Sequence, residues 1–156
     1  MSFLSAFFYD KCMKATEDAC LIDWRKDLLK NVAGKVLEIG AGTGASLDLY
    51  PNLAELQLSL AEPAKGLKQI SVMSCPGENI DSDDETFDFV FASLVCCSVN
   101  DVAASLNEIK RVLKPNGSFI FLEHVAAEKG SKRRTWQNRL NPFWRKFAGN
   151  CHLNRE

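Results

Sequence analysis

The most constraining feature of the 156-residue sequence is a set of three alternating glycines, Gly40, Gly42 and Gly44, directly after a short run of β-forming residues. Glycine has no Cβ atom, so it lets the backbone turn sharply and approach a ligand closely. The helix expected after such a turn offers its free N-terminal N–H groups to the same ligand. A strand, a glycine turn and a helix in this order predict the first unit of a nucleotide-binding α/β domain.

Four further apolar segments alternate with helical ones, and this alternation predicts parallel strands joined by crossover helices. The segment 87–92 is apolar except for Asp88, and such a run is typical of a strand buried on both faces. The helix predicted for 102–113 has one apolar stripe, consisting of Val102, Leu106, Ile109 and Leu113. The turn formers at 114–117 are expected to end it. The predicted strands are 35–39, 56–61, 70–74, 87–92 and 118–122, and the other predicted helices are 3–30 and 45–50.

The glycine loop fits two classes of nucleotide. Gly40, Gly42 and Ala45 satisfy the GxGxxG/A pattern of dinucleotide-binding proteins. Glu38 favours S-adenosylmethionine, because a carboxylate two residues before the first glycine attracts a cationic ligand and repels a pyrophosphate. Glu62 ends the second predicted strand, where a carboxylate accepts hydrogen bonds from both ribose hydroxyls. No second domain of the size of a dehydrogenase substrate domain follows, which also disfavours a nicotinamide cofactor.

Composition and cysteine usage are those of a soluble protein in a reducing compartment. Charged residues make up 25% of the chain and the formal net charge is −1, so the bulk charge does not indicate a nucleic-acid partner. The six cysteines include no CxxC pair and no secretory signal precedes them, so we expect free thiols in the cytoplasm. Metal binding is not predicted, because His124 and His152 lie far from any cysteine cluster in the sequence. No apolar run approaches the ~20 residues of a membrane span.

Five segments of the chain together resemble the class I S-adenosylmethionine-dependent methyltransferases in their order and type of spacing. Within this family, EHVA at 123–126 and HLNRE at 152–156 resemble the branch that includes the animal thiol methyltransferases. The resemblance implies a Rossmann-like parallel sheet with strand order 3-2-1-4-5 and flanking helices. It also implies S-adenosylmethionine as cofactor and a small-molecule acceptor, with a thiol as the leading candidate. The five segments are VLEIGAGTG at 36–44, LAEP at 60–63, ENI at 78–80, VLKPNG at 112–117 and FLEHV at 121–125.

The family analogy assigns the parts of the cofactor to particular residues. The glycine loop and the acid before it are expected to hold the methionine end, and the acid after the second strand to bind the ribose. The segment 77–79 is expected to flank the adenine, and the residues after the fourth strand to line the sulfonium side. The implied cofactor-binding residues are Glu38, Gly40, Ala41, Gly42, Gly44, Glu62, Pro63, Gly77, Glu78, Asn79 and Leu94, with Val95 beside them.

The resemblance implies direct displacement, in which a nucleophile attacks the methyl carbon in line with the departing sulfur. The sulfonium is a strong electrophile, so positioning and desolvation supply most of the rate, and a thiol acceptor reacts as the thiolate. His124, at the end of the fifth strand, is the base candidate for neutral pH. The competing interpretation is a histidine that caps the strand end or binds a carboxylate. Cys96 and Cys97 are interpreted as small apolar residues and not as nucleophiles.

Two features depart from the family pattern. Only Pro63–Gln69 separate Glu62 from the third strand, fewer than the ~10–12 residues of a parallel crossover with its helix. This shortening leaves open whether the third strand pairs at all. The sequence stops at Glu156, before the C-terminal strands of the family pattern, so the fifth strand is expected to be an open edge at which two copies associate.

These departures motivate an alternative function, in which the chain is a shortened, inactive S-adenosylmethionine-binding domain that acts through a partner. A nicotinamide-dependent oxidoreductase is the third hypothesis.

The two ends of the chain are predicted to be helical. Lys129–Lys146 is basic and interleaved with Trp136, Phe143 and Trp144. Because the net charge is near zero and no nucleic-acid-binding motif is present, this pattern predicts a solvated helix whose aromatic stripe faces inward. The N-terminal helix is predicted to pack on the domain, with a membrane-surface or substrate-covering role as the alternative. The single expected domain thus divides into a helical segment at 1–30, a cofactor-binding core at 31–125 and a basic helical tail at 126–156.

Overall fold

The structure is a computed structural model that describes residues 14, 16–42, 44–51, 54–59, 70–73 and 77–156, with the backbone alone for 54–59 and 70–73. The strands are β1 (Gly34–Ile39), β2 (Ala54–Ser59), β3 (Ile70–Met73), β4 (Phe87–Ser93) and β5 (Leu113–Leu122). The helices are α1 (Ile22–Leu29), α2 (Val102–Val112) and α3 (Lys132–Phe147). A π-helical turn at Glu17–Leu21 leads into α1. These two elements are the described part of the helix predicted at 3–30; residues 1–13 lie outside the described residues.

All five strands form one parallel sheet in the order β3-β2-β1-β4-β5, which confirms the predicted topology. The third strand, whose pairing the sequence left open, pairs with β2 from Leu56↔Ile70 to Ser59↔Met73. The connection from β2 to β3, residues 60–69, lies outside the described residues. β3 and β5 form the two edges of the sheet, so the carboxyl ends of β1 and β4 meet near its centre.

The helix predicted for 45–50 is wrong in its extent, since the structure has only a 3-10 turn at Leu47–Leu49. Gly44 precedes this turn with a φ of 86°. Pro51 follows it, and a proline disfavours helical geometry in the residue before it. Tyr50 accordingly is extended, with φ −72° and ψ 139°. The segment between these two residues is too short for a regular α-helix.

The turn predicted at Lys114–Gly117 is instead an irregularity within β5. Between the pairs Phe87↔Leu113 and Phe89↔Ser118, β5 contains four residues and β4 contains one, so β5 carries three more. The Nζ atom of Lys114 lies 2.8 Å from Oδ1 of Asp88 and fastens the irregular segment to β4. Such bulges bend a strand without ending it. The predicted end of α2 is nevertheless confirmed within one residue.

Both faces of the sheet are covered, which confirms the prediction for β4. α2 covers one face of the sheet, and its Ser105, Ile109 and Val112 are buried there. The predicted apolar stripe is therefore correct for Ile109 and wrong for Leu106, which is 43% exposed. This cluster consists of Leu37, Ile39, Ile80, Phe87, Val90, Ile109 and Val112. The cluster on the other face, toward α1, consists of Leu29, Val32, Val36, Ala41 and Phe91.

The inward aromatic stripe predicted for the basic tail is wrong. All residues of α3 are described and none is buried; Trp136 and Phe143 are 60% and 76% exposed. The inner contacts of α3 are made by amides, since Gln137 accepts from the N–H of Ala127 at 2.8 Å and Asn141 from another backbone N–H at 2.9 Å. Trp144 alone of the three predicted aromatic residues packs inward. Among the described residues, no helix combines the length and apolar composition needed to cross a membrane.

Candidate cofactor site

The chain leaves β1 through three glycines with positive φ: 65° at Gly40, 55° at Gly42 and 86° at Gly44. Residues with a side chain rarely adopt this region. A Cβ atom at Gly40 would lie 2.4 Å from Cγ2 of Val95, whereas one at Gly42 would meet no atom of the described residues closer than 3.9 Å. Gly40 is therefore required by the close approach of the loop after β4, and Gly42 presents an open backbone surface. Thr43, between these glycines, lies outside the described residues.

Glu38 on β1 has a buried carboxylate beside the glycine loop. The residue is 2% exposed, and the hydroxyl of Tyr50 donates to its Oε2 atom at 2.8 Å. Burial raises the pKa of Glu38, while hydrogen bonds from Tyr50 and Ser46 and the charge of Arg25 act in the opposite direction. A cationic ligand group placed beside this carboxylate would favour its ionised form.

Arg25 on α1 attaches the N-terminal helical segment to the end of β4. It is 5% exposed, its Nε donates to Oγ of Ser93 at 2.9 Å, and its Nη1 forms an ion pair with Glu17. Ser93 ends β4 at the carboxyl edge of the sheet, where open α/β sheets bind their ligands. The predicted packing of the N-terminal segment on the domain is thus confirmed for α1. No role for Arg25 was predicted, because α1 has only a weak apolar stripe and its sequence therefore does not show which residues face the domain.

The loop after β4 lies against the glycine loop and is held by Glu123. Leu94 has a φ of 58°, and strained backbone of this kind is concentrated at functional sites. Oε1 of Glu123 accepts hydrogen bonds from the N–H groups of Val95 and Cys96, each at 2.7 Å. Val95 in turn contacts the position of the Cβ that Gly40 lacks. The structure therefore places Leu94 and Val95 beside the loop predicted to bind the methionine end.

The segment predicted to flank the adenine lies at the same edge of the sheet. A Cβ at Gly77 would lie 3.6 Å from Ile39 at the end of β1 and 3.6 Å from Ser105 on α2. The carboxylate of Glu78 accepts from the N–H groups of the two residues before α2, at 2.7 and 3.3 Å. This carboxylate therefore fixes the start of α2, and Asn79 beside it is exposed.

His124 directly follows β5, and its imidazole is engaged by a thiol. Nε2 lies 3.3 Å from Sγ of Cys151, which lies 3.5 Å from Sγ of Cys97. The hydrogen bond with Cys151 raises the pKa of His124. His124 is far from Cys97 and Cys151 in the sequence, but folding brings the three side chains together, so distance in the sequence was not a sufficient reason against a metal site. The role of His124 as a base stays a prediction. The competing interpretation expected His124 to cap the strand end or to bind a carboxylate, whereas its partner in the structure is the thiol of Cys151.

The remaining predicted site residues divide into two groups. Glu62, predicted to bind the ribose, and Pro63, predicted to bind the cofactor beside it, lie outside the described residues. The side chain of Ala41 belongs to the core, so only its backbone faces the loop. Glu123 was expected, with His124, at the ligand-binding edge of the sheet, whereas Tyr50 was not predicted to contribute. The position of Tyr50 before a proline gave no hint that its hydroxyl reaches Glu38.

Comparison with known proteins gives the family of the chain. Residues 37–121 match the family described as "Methyltransferase domain". Thiol S-methyltransferase TMT1B of Rattus norvegicus is 36% identical over 100% of this chain and 69% of its own length. Thiol S-methyltransferase TMT1A of Homo sapiens is 34% identical over 78% of this chain and 55% of its own length. The matches thus extend over 55% to 69% of the length of these two relatives.

Solved structures have the same fold. YcgJ from Bacillus subtilis, with a TM-score of 0.66 and 20% identity, covers 80% of this chain, and 56% of that protein is matched. A SAM-dependent methyltransferase from Aquifex aeolicus, with a TM-score of 0.57 and 17% identity, covers 80% of this chain, and 78% of that protein is matched. The fold and the sequence matches agree with the glycine loop described above. The chain therefore belongs to the family of S-adenosylmethionine-dependent methyltransferases that includes the thiol S-methyltransferases, and its cofactor is S-adenosylmethionine.

Proposed function

We propose that this chain transfers the methyl group of S-adenosylmethionine to a small-molecule acceptor, and that the acceptor is a thiol. The observation that carries the proposal is the open backbone surface at Gly42, which follows the buried carboxylate of Glu38. The relatives named as thiol S-methyltransferases support a thiol as the acceptor.

The glycine loop and its surroundings fit S-adenosylmethionine in shape and charge. The backbone at Gly42 has space for a ligand, because within the part of the chain that the structure describes a Cβ there would meet no atom closer than 3.9 Å. Glu38 supplies a buried negative charge for the methionine ammonium group. When bound, the cofactor supplies an electrophilic methyl group on a sulfonium. The chain itself positions the reactants. Arg25 attaches α1 to the end of β4, at the edge where the cofactor binds.

Turnover with a matched pair of acceptors tests the proposal. With S-adenosylmethionine and 2-mercaptoethanol, we expect S-adenosylhomocysteine and the methyl thioether by mass spectrometry. Ethylene glycol, in which a hydroxyl replaces the thiol, is expected to give neither product, because an alcohol is not deprotonated at neutral pH. The rate should rise with pH as the thiolate fraction rises.

The two alternatives predict different results in the same assay. Cofactor binding by calorimetry without turnover on a panel of small thiols would support the inactive binding domain. Binding of NAD(H) in place of S-adenosylmethionine would support the oxidoreductase. Methylation of a hydroxyl or amine acceptor, with no thiol methylated, would retain the methyltransferase and overturn the thiol assignment.

The charge of Glu38 is expected to control cofactor affinity. In Glu38→Gln the side chain keeps its shape but loses the charge, and the affinity for S-adenosylmethionine should fall about tenfold to a hundredfold. The affinity of the wild-type chain should also fall on acidification, as the carboxyl protonates at its raised pKa, above the ordinary value of 4.5. Isothermal titration of both proteins across this pH range measures both effects.

Glu38→Gln is the control for the wild-type chain, because its affinity should not change over the same pH range. If the affinity of Glu38→Gln fell on acidification as that of the wild type does, another group would be responsible for the pH dependence.

The stability of the free protein depends on pH in the opposite direction from the cofactor affinity. The pKa of Glu38 is higher in the folded state, so its contribution to stability is present below about 4.5 and is lost as the pH rises through the folded value.

Compartment and association belong to the same proposal. The described cysteines, Cys20, Cys96, Cys97 and Cys151, are free thiols, which supports a reducing cytoplasmic setting. β5 is an edge strand whose Phe121 is 58% exposed, which supports pairing of two copies at this edge.

A further inference from the structure

Three metal-ligating side chains converge near the carboxyl edge of the sheet. Cys97 lies in the loop after β4, His124 directly follows β5, and Cys151 lies four residues beyond α3. The ligand atoms of all three lie within 4.8 Å of one another. Cys97 and Cys151 are buried and His124 is half-buried, so the group is reachable from one side. These residues form the Cys–His–Cys cluster.

We propose that the Cys–His–Cys cluster binds a zinc ion, with two thiolates and one imidazole as ligands and a fourth position left open. Sulfur and imidazole nitrogen are the donors that zinc prefers in proteins. Two thiolates also balance the charge of the dication. Magnesium and calcium select oxygen donors, which the three side chains do not offer.

The spacing of the ligand atoms fits a tetrahedral site. Zn–S bonds of about 2.3 Å and Zn–N bonds of about 2.0 Å place two sulfur atoms about 3.8 Å apart, and sulfur and nitrogen about 3.5 Å apart, at the tetrahedral angle. The observed separations are 3.5 Å between Sγ of Cys97 and Sγ of Cys151, and 3.3 Å between Sγ of Cys151 and Nε2 of His124. These two pairs would need to open by only about 0.2–0.3 Å to accept the ion. The third pair, Sγ of Cys97 and Nε2 of His124, lies within 4.8 Å.

The ligands are held in place by contacts that do not depend on an ion. The N–H of His152 donates to the carbonyl oxygen of Cys97 at 2.9 Å, and Nη2 of Arg155 donates to that of Val99 at 2.8 Å. These bonds dock the segment after α3 on the loop after β4, and Ala148 packs beside the two sulfur atoms. A set of ligands ordered in advance lowers the entropic cost of binding.

A neighbouring carboxylate also fits a dication. Oε2 of Glu123 is buried and has no hydrogen-bond partner among the described residues, while Oε1 holds the backbone just before Cys97. Carboxylates are the usual outer-shell neighbours of zinc-ligating histidines. A dication at the cluster would compensate the desolvated charge of Glu123. The proposal also assigns Nε2 of His124 as a ligand, in place of its interpretation as a base.

Cobalt substitution tests the site without the cofactor or an acceptor, so the result does not depend on the proposed function. The full chain, reduced and treated with chelator, is titrated with Co²⁺. We expect the intense visible bands and the sulfur-to-cobalt charge-transfer band of a tetrahedral thiolate site, and their loss on adding one equivalent of Zn²⁺. Cys97→Ser and Cys151→Ser should lose these bands. Cys96→Ser, the matched neighbour outside the cluster, should retain them.

Protection of the wild-type thiols gives a second readout that does not require folded variants. Zinc should slow the alkylation of Cys97 and Cys151 by iodoacetamide at least tenfold and leave Cys96 unchanged. A folded wild-type chain without tetrahedral cobalt bands would overturn the proposal. Bands that persist in folded Cys97→Ser and Cys151→Ser would also overturn it, as would equal alkylation rates with and without zinc.

Discussion

Replacing Gly40 with alanine is expected to abolish S-adenosylmethionine binding and to lower the free energy of unfolding by about 2–5 kcal/mol. The φ of 65° costs a residue with a side chain about 1–2 kcal/mol. The added Cβ would in addition lie 2.4 Å from Cγ2 of Val95, so the loop after β4 would have to move away. Urea unfolding measures the loss of stability, and calorimetry with S-adenosylmethionine measures the loss of binding.

Gly42→Ala is the matched control, because it changes the same loop without the steric conflict. Its φ of 55° gives a similar conformational cost, but the nearest atom that its Cβ would meet among the described residues is the carbonyl oxygen of Gly40, at 3.9 Å. We expect a loss of only about 1–2 kcal/mol in stability, together with weak cofactor binding, because the methyl group would project from the surface that faces the ligand. Equal destabilisation by both substitutions would show that Val95 does not constrain the loop. Full cofactor affinity in Gly42→Ala would show that the cofactor does not approach this backbone.

The sheet and the glycine loop could be predicted because their signals are local. The run at 87–92, apolar except for Asp88, indicates a strand buried on both faces, and the structure buries Phe87 and Val90 on one face and Phe91 on the other. Glycines directly after a strand predict the left-handed conformations found at Gly40 and Gly42. Local backbone preference and burial pattern therefore determined most of the architecture.

The contacts that complete the site could not be predicted, because each joins side chains from separate elements. Arg25 reaches Ser93 across 68 positions of sequence, and Cys97 reaches Cys151 across 54. No periodic pattern encodes such pairs. The face of a helix is also decided by its neighbours, which is why Leu106 is more exposed than the apolar stripe suggested. The inner face of α3 is lined with amides because the backbone of the segments before and after the helix needs hydrogen-bond partners there.

Phe91→Ala is expected to lower the free energy of unfolding by about 3–5 kcal/mol. Phe91 is fully buried, and its ring meets that of Tyr50 edge to face, with centroids 6.4 Å apart at 85°. The hydroxyl of Tyr50 also donates to Glu38. The cavity left at position 91 would therefore let the Tyr50 ring move and would weaken its hydrogen bond to Glu38. At temperatures where the variant is folded, its affinity for S-adenosylmethionine should therefore be weaker as well. Urea unfolding and calorimetry on one preparation separate the two effects.

Phe143→Ala is the control that separates burial from residue type. Phe143 is 76% exposed on α3, and its truncation is expected to change stability by no more than about 0.5 kcal/mol. A domain of this kind has a total stability of about 5–15 kcal/mol, so the loss at Phe91 is a large fraction of it. Equal effects at the two positions would contradict the placement of β4 in the core. A destabilised Phe91→Ala that binds the cofactor with unchanged affinity would show that Tyr50 does not depend on Phe91 to position Glu38, and the link between core packing and the cofactor site would then be wrong.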